Sequence, residues 1–183
     1  APTLSQADFI LINACTVTEG ADRDIRRFIN RCRRINKRGK IILAGCNPQA
    51  HQADAFDADI VLGQNEKFDV GRFLEKNGIF IGAREDITLE TIPGYPLMLQ
   101  EGKTRFFFKI QDGCNKFCSY CIVPYARGIP RSRPVDSVLD FLKLLKEKNV
   151  KEVVLTGIEI SEYRDLKAGA DLNDLLRMIE DCE

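Results

Sequence analysis

The 183-residue chain is short of several things, and each absence narrows what it can be. No window is long enough and apolar enough to span a bilayer. The opening stretch, "APTLSQADFILINAC", lacks the basic n-region of a signal peptide. Lys plus Arg and Asp plus Glu each number 27, so bulk charge names no partner. Tryptophan is absent, which decides nothing, and histidine occurs once, as His51. What remains is an ordinary globular mixture, 44% hydrophobic and 30% charged, of a size for one large or two small domains.

Cysteine is the exception, with seven residues, an odd number. Without an export signal, closely spaced cysteines point to metal binding or catalysis before disulfides. The expectation is a reduced, cytoplasmic protein.

Two halves differ in pattern. "DFILIN" is an apolar run of the kind a strand buried on both faces shows. In "GADRDIRRFINRCRRINKRG", Ala21, Ile25, Phe28, Ile29, Cys32 and Ile35 fall at helical period, with Gly39 a stop. "KIILAG" is a second strand, and Asn47 before Pro48 suggests an N-cap and first helical residue. "ADIVLG" is a third strand, "NEKFDVGRFLEKNG" a helix from Asn65 to Gly78, and "IFIG" a fourth strand. Alternating strands and helices predict an α/β fold, a small doubly wound parallel-sheet domain over residues 1–90. Residues 91–104, rich in Pro and Gly, read as a linker. Over residues 105–183 come "RFFFKIQ" as a strand, "RPVDSVLDFLKLLKEKNV" as a helix, "KEVVLTG" as a strand and "DLNDLLRMIEDCE" as a helix. The helical stripes there are Val138, Leu142 and Leu145, then Leu172, Leu175, Leu176 and Ile179.

Cys114, Cys118 and Cys121 stand in a C-x3-C-x2-C loop after a strand. Thiolates favour iron–sulfur clusters, zinc and copper(I). A structural zinc site wants four ligands, and a cubane cluster has four irons to ligate. Three thiolates leave one metal position open, and an open position is where a substrate or cofactor binds. The alternative is a zinc knuckle completed from afar by His51 or Cys182. Cys15 and Cys46 each follow a strand, which puts them on one rim of a parallel sheet, where ligands bind. Their other reading is as two buried small hydrophobes. Cys32 falls on a helix's inward stripe and reads as core, and Cys182 as the frayed end of the last helix.

Arg23, Arg26, Arg27, Arg31, Arg33, Arg34, Lys37, Arg38 and Lys40 crowd one helix and its end. They read as a solvated face, or else as phosphate contacts for RNA. Arg127, Arg131 and Arg133 follow the cysteine loop, and a role there toward cofactor or RNA is the stronger expectation. His51 reads as a surface helix residue.

The loop, with Tyr120 before Cys121, resembles the signature of radical S-adenosylmethionine enzymes. "FFFKIQDGCNKFCSYCIVPYARGIPRSRP" is similar to the core motif of the radical methylthiotransferases. "INACTVTEGADRDIRRFI", "ILAGCNPQ" and "DIVLGQNEK" resemble that family's amino-terminal domain. "ACTVTEGADR" with "VVLTGIEISEY" is most similar to the branch acting on threonylcarbamoyladenosine in tRNA.

The resemblance implies that residues 105–183 are the first βα units of a partial (β/α) barrel. It implies a [4Fe-4S] cluster on Cys114, Cys118 and Cys121. The open iron would bind S-adenosylmethionine by its amino and carboxylate groups, for one-electron cleavage to a 5′-deoxyadenosyl radical. Tyr120, Gly157 and Glu159 would be cofactor-binding, although Glu159 also reads as an exposed loop carboxylate. An auxiliary [4Fe-4S] cluster is implied on Cys15, Cys46 and a third cysteine from a segment that would precede Ala1. The implied partners are tRNA and an electron donor such as a flavodoxin or ferredoxin. The chain is thus expected to be a fragment that does not convert tRNA unaided. Other expectations are a ribosomal protein or isopentenyladenosine tRNA as substrate, or a non-catalytic iron–sulfur or zinc module.

Overall fold

A computed structural model of the chain describes residues 3–16, 18–51, 56–83 and 105–181. The expected linker and Cys182 lie outside these residues. The chain divides into two compact units. One holds the described residues up to 83 with Lys116–Gly128, and the other holds 105–115 and 129–181.

The first unit is built on four parallel strands, β1 (Phe9–Ala14), β2 (Lys40–Gly45), β3 (Ile60–Leu62) and β4 (Gly78–Phe80), paired in chain order. Parallel neighbours need crossovers. These run through α1 (Glu19–Ile35), α2 (Cys46–His51) and 3-10 turns over Glu66–Phe73. A further short helix, α3 (Val123–Arg127), packs on α2. On one sheet face Ile10, Ile12, Ala14, Ile41 and Leu43 meet Ile25, Ile29 and Cys32 of α1. On the other, Ile42, Ala44, Ile60 and Leu62 meet Phe73, with Val70, Leu74 and Phe80 around it. The α/β class, the parallel sheet and the covering of both faces follow the sequence pattern.

Some details differ for identifiable reasons. The first strand is not buried on both faces. It is an edge strand with Ile10, Ile12 and Ala14 inward and Phe9 and Leu11 exposed. Helix α1 ends before Asn36, not at Gly39. The Asn36 amide nitrogen donates to the carbonyls of Leu4 and Ala7, and its oxygen accepts from the backbone of Arg38 and Gly39. That side chain closes the turn which Gly39 was expected to make. Phe28 and Ile35, placed on the stripe, are exposed, while Cys32 is fully buried. Helix α2 begins at Cys46, so Asn47 lies inside it rather than capping it. The segment after β3 is 3-10 with a kink at Asp69, and Gly78 opens β4 instead of ending a helix.

The second unit contains β5 (Arg105–Lys109), β6 (Gln111–Asp112), β7 (Arg131–Ser132), α4 (Val135–Glu147), β8 (Glu152–Thr156), β9 (Arg164–Asp165), β10 (Ala170–Asp171) and α5 (Leu172–Glu180). Strands β5 and β8 pair in parallel from Arg105↔Glu152 to Lys109↔Thr156. "RFFFKIQ" is therefore two strands, because the chain turns after Lys109 and β6 pairs antiparallel with β7. Phe108, Ile110, Val135, Val138, Tyr163, Ala170 and Leu175 form the core. Leu145 is buried, Leu142 partly so, and Leu176 is exposed. The Asp171 carboxylate caps α5 by accepting from the backbone of Asn173 and Asp174. Tyr163 is buried and donates its hydroxyl to the Arg133 carbonyl at 2.7 Å. Burial, with the Asp165 charge adding, pushes that hydroxyl up to about 12.

Candidate functional site

In the first unit the rim at the carboxyl ends of the strands carries the polar chemistry. The register ends with Ala14 opposite Gly45, so Cys15 and Cys46 follow neighbouring strand ends. Gly45 has φ of +108°, a conformation that favours glycine, and it turns the chain directly into α2. Cys15 is exposed and Cys46 buried. The Gln64 amide, just past β3, donates to Cys46 Sγ at 3.0 Å. Gln64 is itself held by its backbone nitrogen, which donates to Gln49 Oε1. Thr16 and Asn47, the residues after the two cysteines, both donate to Asp22 Oδ1, at 2.9 and 2.7 Å.

His51 is more than a surface residue. Its Nε2 lies 2.9 Å from Thr16 Oγ1 and 3.7 Å from Asp22 Oδ2. Sequence reading missed Asp22, Thr16, Asn47 and Gln64. Asp22 lay unmarked among the charges of α1, and Gln64 carried no signal beyond its place after a strand.

The cysteine loop has no regular structure over residues 113–118. Cys114 belongs to the second unit, and Cys118 and Cys121 to the first. Cys118 accepts a backbone hydrogen bond from Cys121 at 2.9 Å, and Phe117 between the first two cysteines has φ of +45°. The Phe117 ring meets Tyr125 of α3 edge-on. Tyr120 is 90% exposed. Because α3 packs on α2, the segment with Cys118 and Cys121 shares a unit with Cys15 and Cys46.

Among the described residues no three His, Cys, Asp or Glu side chains are gathered to share an ion. The donor set nonetheless fits a cluster by its chemistry. All six described cysteines are free thiols, and none of Cys114, Cys118 and Cys121 is buried. Buried Cys32 faces the core, where desolvation raises its thiol above the ordinary cysteine value.

In the second unit Gln111 connects the start of this loop to the segment with Gly157 and Glu159. It is fully buried. Its nitrogen donates to the carbonyls of Asp112 and Gly113, and its Oε1 accepts from the Glu159 backbone at 2.9 Å. A side chain at Gly157 would lie 2.9 Å from that same Oε1. Glu159 accepts from Ser161 Oγ at 2.6 Å. Gln111 is thus another residue that the sequence did not single out.

Two of the arginines after the loop are engaged inside the second unit, while Arg127 lies on α3 of the first. Arg131 pairs with Asp112 at 3.2 Å, Lys109 pairs with the same carboxylate at 2.7 Å, and Arg133 donates to the Lys109 carbonyl and lies over Phe108. A cleft of about 590 Å³ is lined in part by Asn115, Arg131, Ser132, Arg164 and Lys167. On α1, Arg33 pairs with Asp57 and Asp59, and Arg27 with Asp24.

No helix among the described residues is long and apolar enough to cross a membrane. Residues 108–179 match the family described as "Radical SAM superfamily", and residues 1–63 match "Uncharacterized protein family UPF0004". The chain is 36% identical over 168 residues to the threonylcarbamoyladenosine tRNA methylthiotransferase MtaB of Aquifex aeolicus, covering 86% of this chain and 40% of that protein. It is 38% identical over 164 residues to a putative methylthiotransferase of Helicobacter pylori, covering 86% and 38%. It is 32% identical over 198 residues to the tRNA-2-methylthio-N(6)-dimethylallyladenosine synthase of Desulforamulus reducens, covering 98% and 42%. The chain thus spans about 40% of the length of the curated relatives it matches. These two matches in order along the chain, and these relatives, make the chain similar to radical S-adenosylmethionine methylthiotransferases.

Proposed function

We propose that the chain carries the cluster-binding part of a tRNA methylthiotransferase, an enzyme that inserts a methylthio group at C2 of N6-threonylcarbamoyladenosine next to the anticodon. The observation that carries this reading is the loop of free thiols, Cys114, Cys118 and Cys121, in a chain with these relatives. Those three residues would hold a [4Fe-4S] cluster with an open iron, and Cys15 and Cys46 would hold part of an auxiliary cluster. When bound, cluster and S-adenosylmethionine supply reductive cleavage of the cofactor, chemistry that belongs to them rather than to side chains.

The residues of the chain bind and orient. Gln111 ties the loop's first turn to the backbone of Glu159, which supports Gly157 and Glu159 as part of a cofactor cradle. Tyr120, exposed beside Cys121, is free to cover a bound cofactor. The substrate would be tRNA, and the electron would come from a small donor such as a flavodoxin or ferredoxin. A cytoplasmic location accords with the six free thiols among the described residues. The similarity to the dimethylallyladenosine synthase supports a second reading, in which the modified adenosine carries an isoprenoid group.

The two are separated by grafting residues 1–183 in place of the matched segment of the Aquifex aeolicus protein. The graft is then incubated anaerobically with each tRNA, S-adenosylmethionine, sulfide and a reductant. Mass spectrometry of the digested nucleosides should show the methylthio group on threonylcarbamoyladenosine. The product on the isoprenoid adenosine alone would move the assignment to the second reading, and no product on either tRNA would refute both.

A further inference from the structure

We propose that Asp22 is a positioning residue that holds Cys15 and Cys46 side by side as a thiol pair before any metal binds. The purpose of such a pair rests on the auxiliary-cluster reading above, but its existence does not.

Asp22 bonds to both chain segments that carry the cysteines. Its Oδ1 accepts from Thr16 Oγ1 at 2.9 Å and from Asn47 Nδ2 at 2.7 Å. Thr16 directly follows Cys15, and Asn47 directly follows Cys46. One carboxylate oxygen therefore joins the two chain segments that leave β1 and β2. Both donors are sequestered, Thr16 at 5% and Asn47 at 1% exposure.

The joint is braced from α2. His51 Nε2 lies 2.9 Å from Thr16 Oγ1. Since the hydroxyl proton goes to Asp22, the imidazole nitrogen is the donor in that contact. Cys46 is fixed from the other side by the amide of Gln64. Neighbouring strands lie about 4.8 Å apart, so segments leaving paired residues and clamped to one oxygen keep their cysteines adjacent.

The chemistry of the clamp separates it from ordinary packing. Asp22 keeps 30% of its side chain exposed, but Asn47 is buried, and a buried amide is costly unless bonded. Here Asn47 Oδ1 is buried and has no partner among the described residues. Polar atoms in such a place serve to fix geometry where apolar atoms would pack at less cost. Residues behind metal ligands that orient them are a recurrent arrangement.

The test uses the metal-free chain carrying Cys114→Ser, Cys118→Ser, Cys121→Ser and Cys182→Ser. Only Cys15, Cys46 and the buried Cys32 then remain. Dibromobimane, which fluoresces when it bridges two thiols, reports pairing, and monobromobimane reports access to Cys15 alone. The parent should bridge readily, and Asp22→Asn, which keeps the Oδ1 acceptor, should stay close to it. Asp22→Ala should slow bridging about tenfold, equivalent to ~1.4 kcal/mol of lost positioning, with monobromobimane labelling unchanged. If Asp22→Ala fails to fold by circular dichroism, Thr16→Val decides, since it frees the Cys15 arm and should give the same loss. A parent that does not bridge, or unchanged bridging in the folded variants, would overturn the proposal. Because no iron is used, a failure here is distinct from a failure of the cluster assignment.

Discussion

Replacing Gly157 by alanine tests whether the second unit's two loops are coupled through Gln111. The added Cβ would lie 2.9 Å from Gln111 Oε1, 3.0 Å from Gln111 Cβ and 3.2 Å from Ile160 Cα. A flexible side chain could swing away from such a contact, but Gln111 is fully buried and makes three hydrogen bonds. Moving it strains the packing, at about 1–3 kcal/mol. It also leaves backbone groups of buried Asp112 or Gly113, or of half-buried Glu159, unsatisfied, at about 1–3 kcal/mol. Partial relaxation makes the expected total about 2–4 kcal/mol.

Urea unfolding followed by far-ultraviolet circular dichroism would read this as a lower midpoint with an unchanged slope. A double-mutant cycle locates the cause. In a Gln111→Ala background the Oε1 contact and the bonds it would disturb are gone, while Gln111 Cβ and Ile160 Cα stay at 3.0 and 3.2 Å, so the same glycine replacement should cost about 1 kcal/mol less than in the parent. A Gly157→Ala chain as stable as the parent, or a full penalty retained without the Gln111 side chain, would refute the coupling.

Three further outcomes follow from the same structure. Tyr163→Phe should cost about 1 kcal/mol near neutral pH through the lost bond to the Arg133 carbonyl. Because burial raises the Tyr163 hydroxyl to about 12, the stability it confers is complete below the ordinary tyrosine value of about 10 and falls as pH climbs toward 12. Thermal melts across that range should show a flatter alkaline loss for the phenylalanine variant. Asp171→Ala should remove the α5 cap and lower the midpoint in urea titrations, with asparagine restoring most of it. Phe107, 61% exposed on β5, gives the second unit an apolar face. The chain should associate in light scattering over a concentration series, and Phe107→Lys should reduce that association.

The sequence was legible where periodicity and burial coincide. β2 is apolar and buried from Ile41 to Gly45 behind a half-buried Lys40, so its ends could be read to the residue. α1 was legible as a stripe, but its end was not. Asn36 stops the helix through contacts with Leu4 and Ala7, far away in sequence. The 3-10 segment was misread because Asp69 adopts a non-helical backbone that its neighbours' helical spacing does not betray. The cysteines announced themselves by spacing and by their place after strands. Asp22, Gln64 and Gln111 did not, since a polar residue that orients a ligand looks in sequence like any solvated one. Only the fold brings Thr16, Asn47 and His51 around one carboxylate.

We propose a four-iron cluster with an open iron on Cys114, Cys118 and Cys121. Its most direct test is electron paramagnetic resonance of the anaerobically reconstituted, reduced chain, with and without S-adenosylmethionine. The spectrum should be that of a four-iron cluster and should change when S-adenosylmethionine is added. Cys114→Ala, Cys118→Ala and Cys121→Ala should each abolish that response, while Cys15→Ala and Cys46→Ala leave it in place. A full signal in any of the first three variants, or stoichiometric zinc in protein purified without oxygen, would contradict the claim.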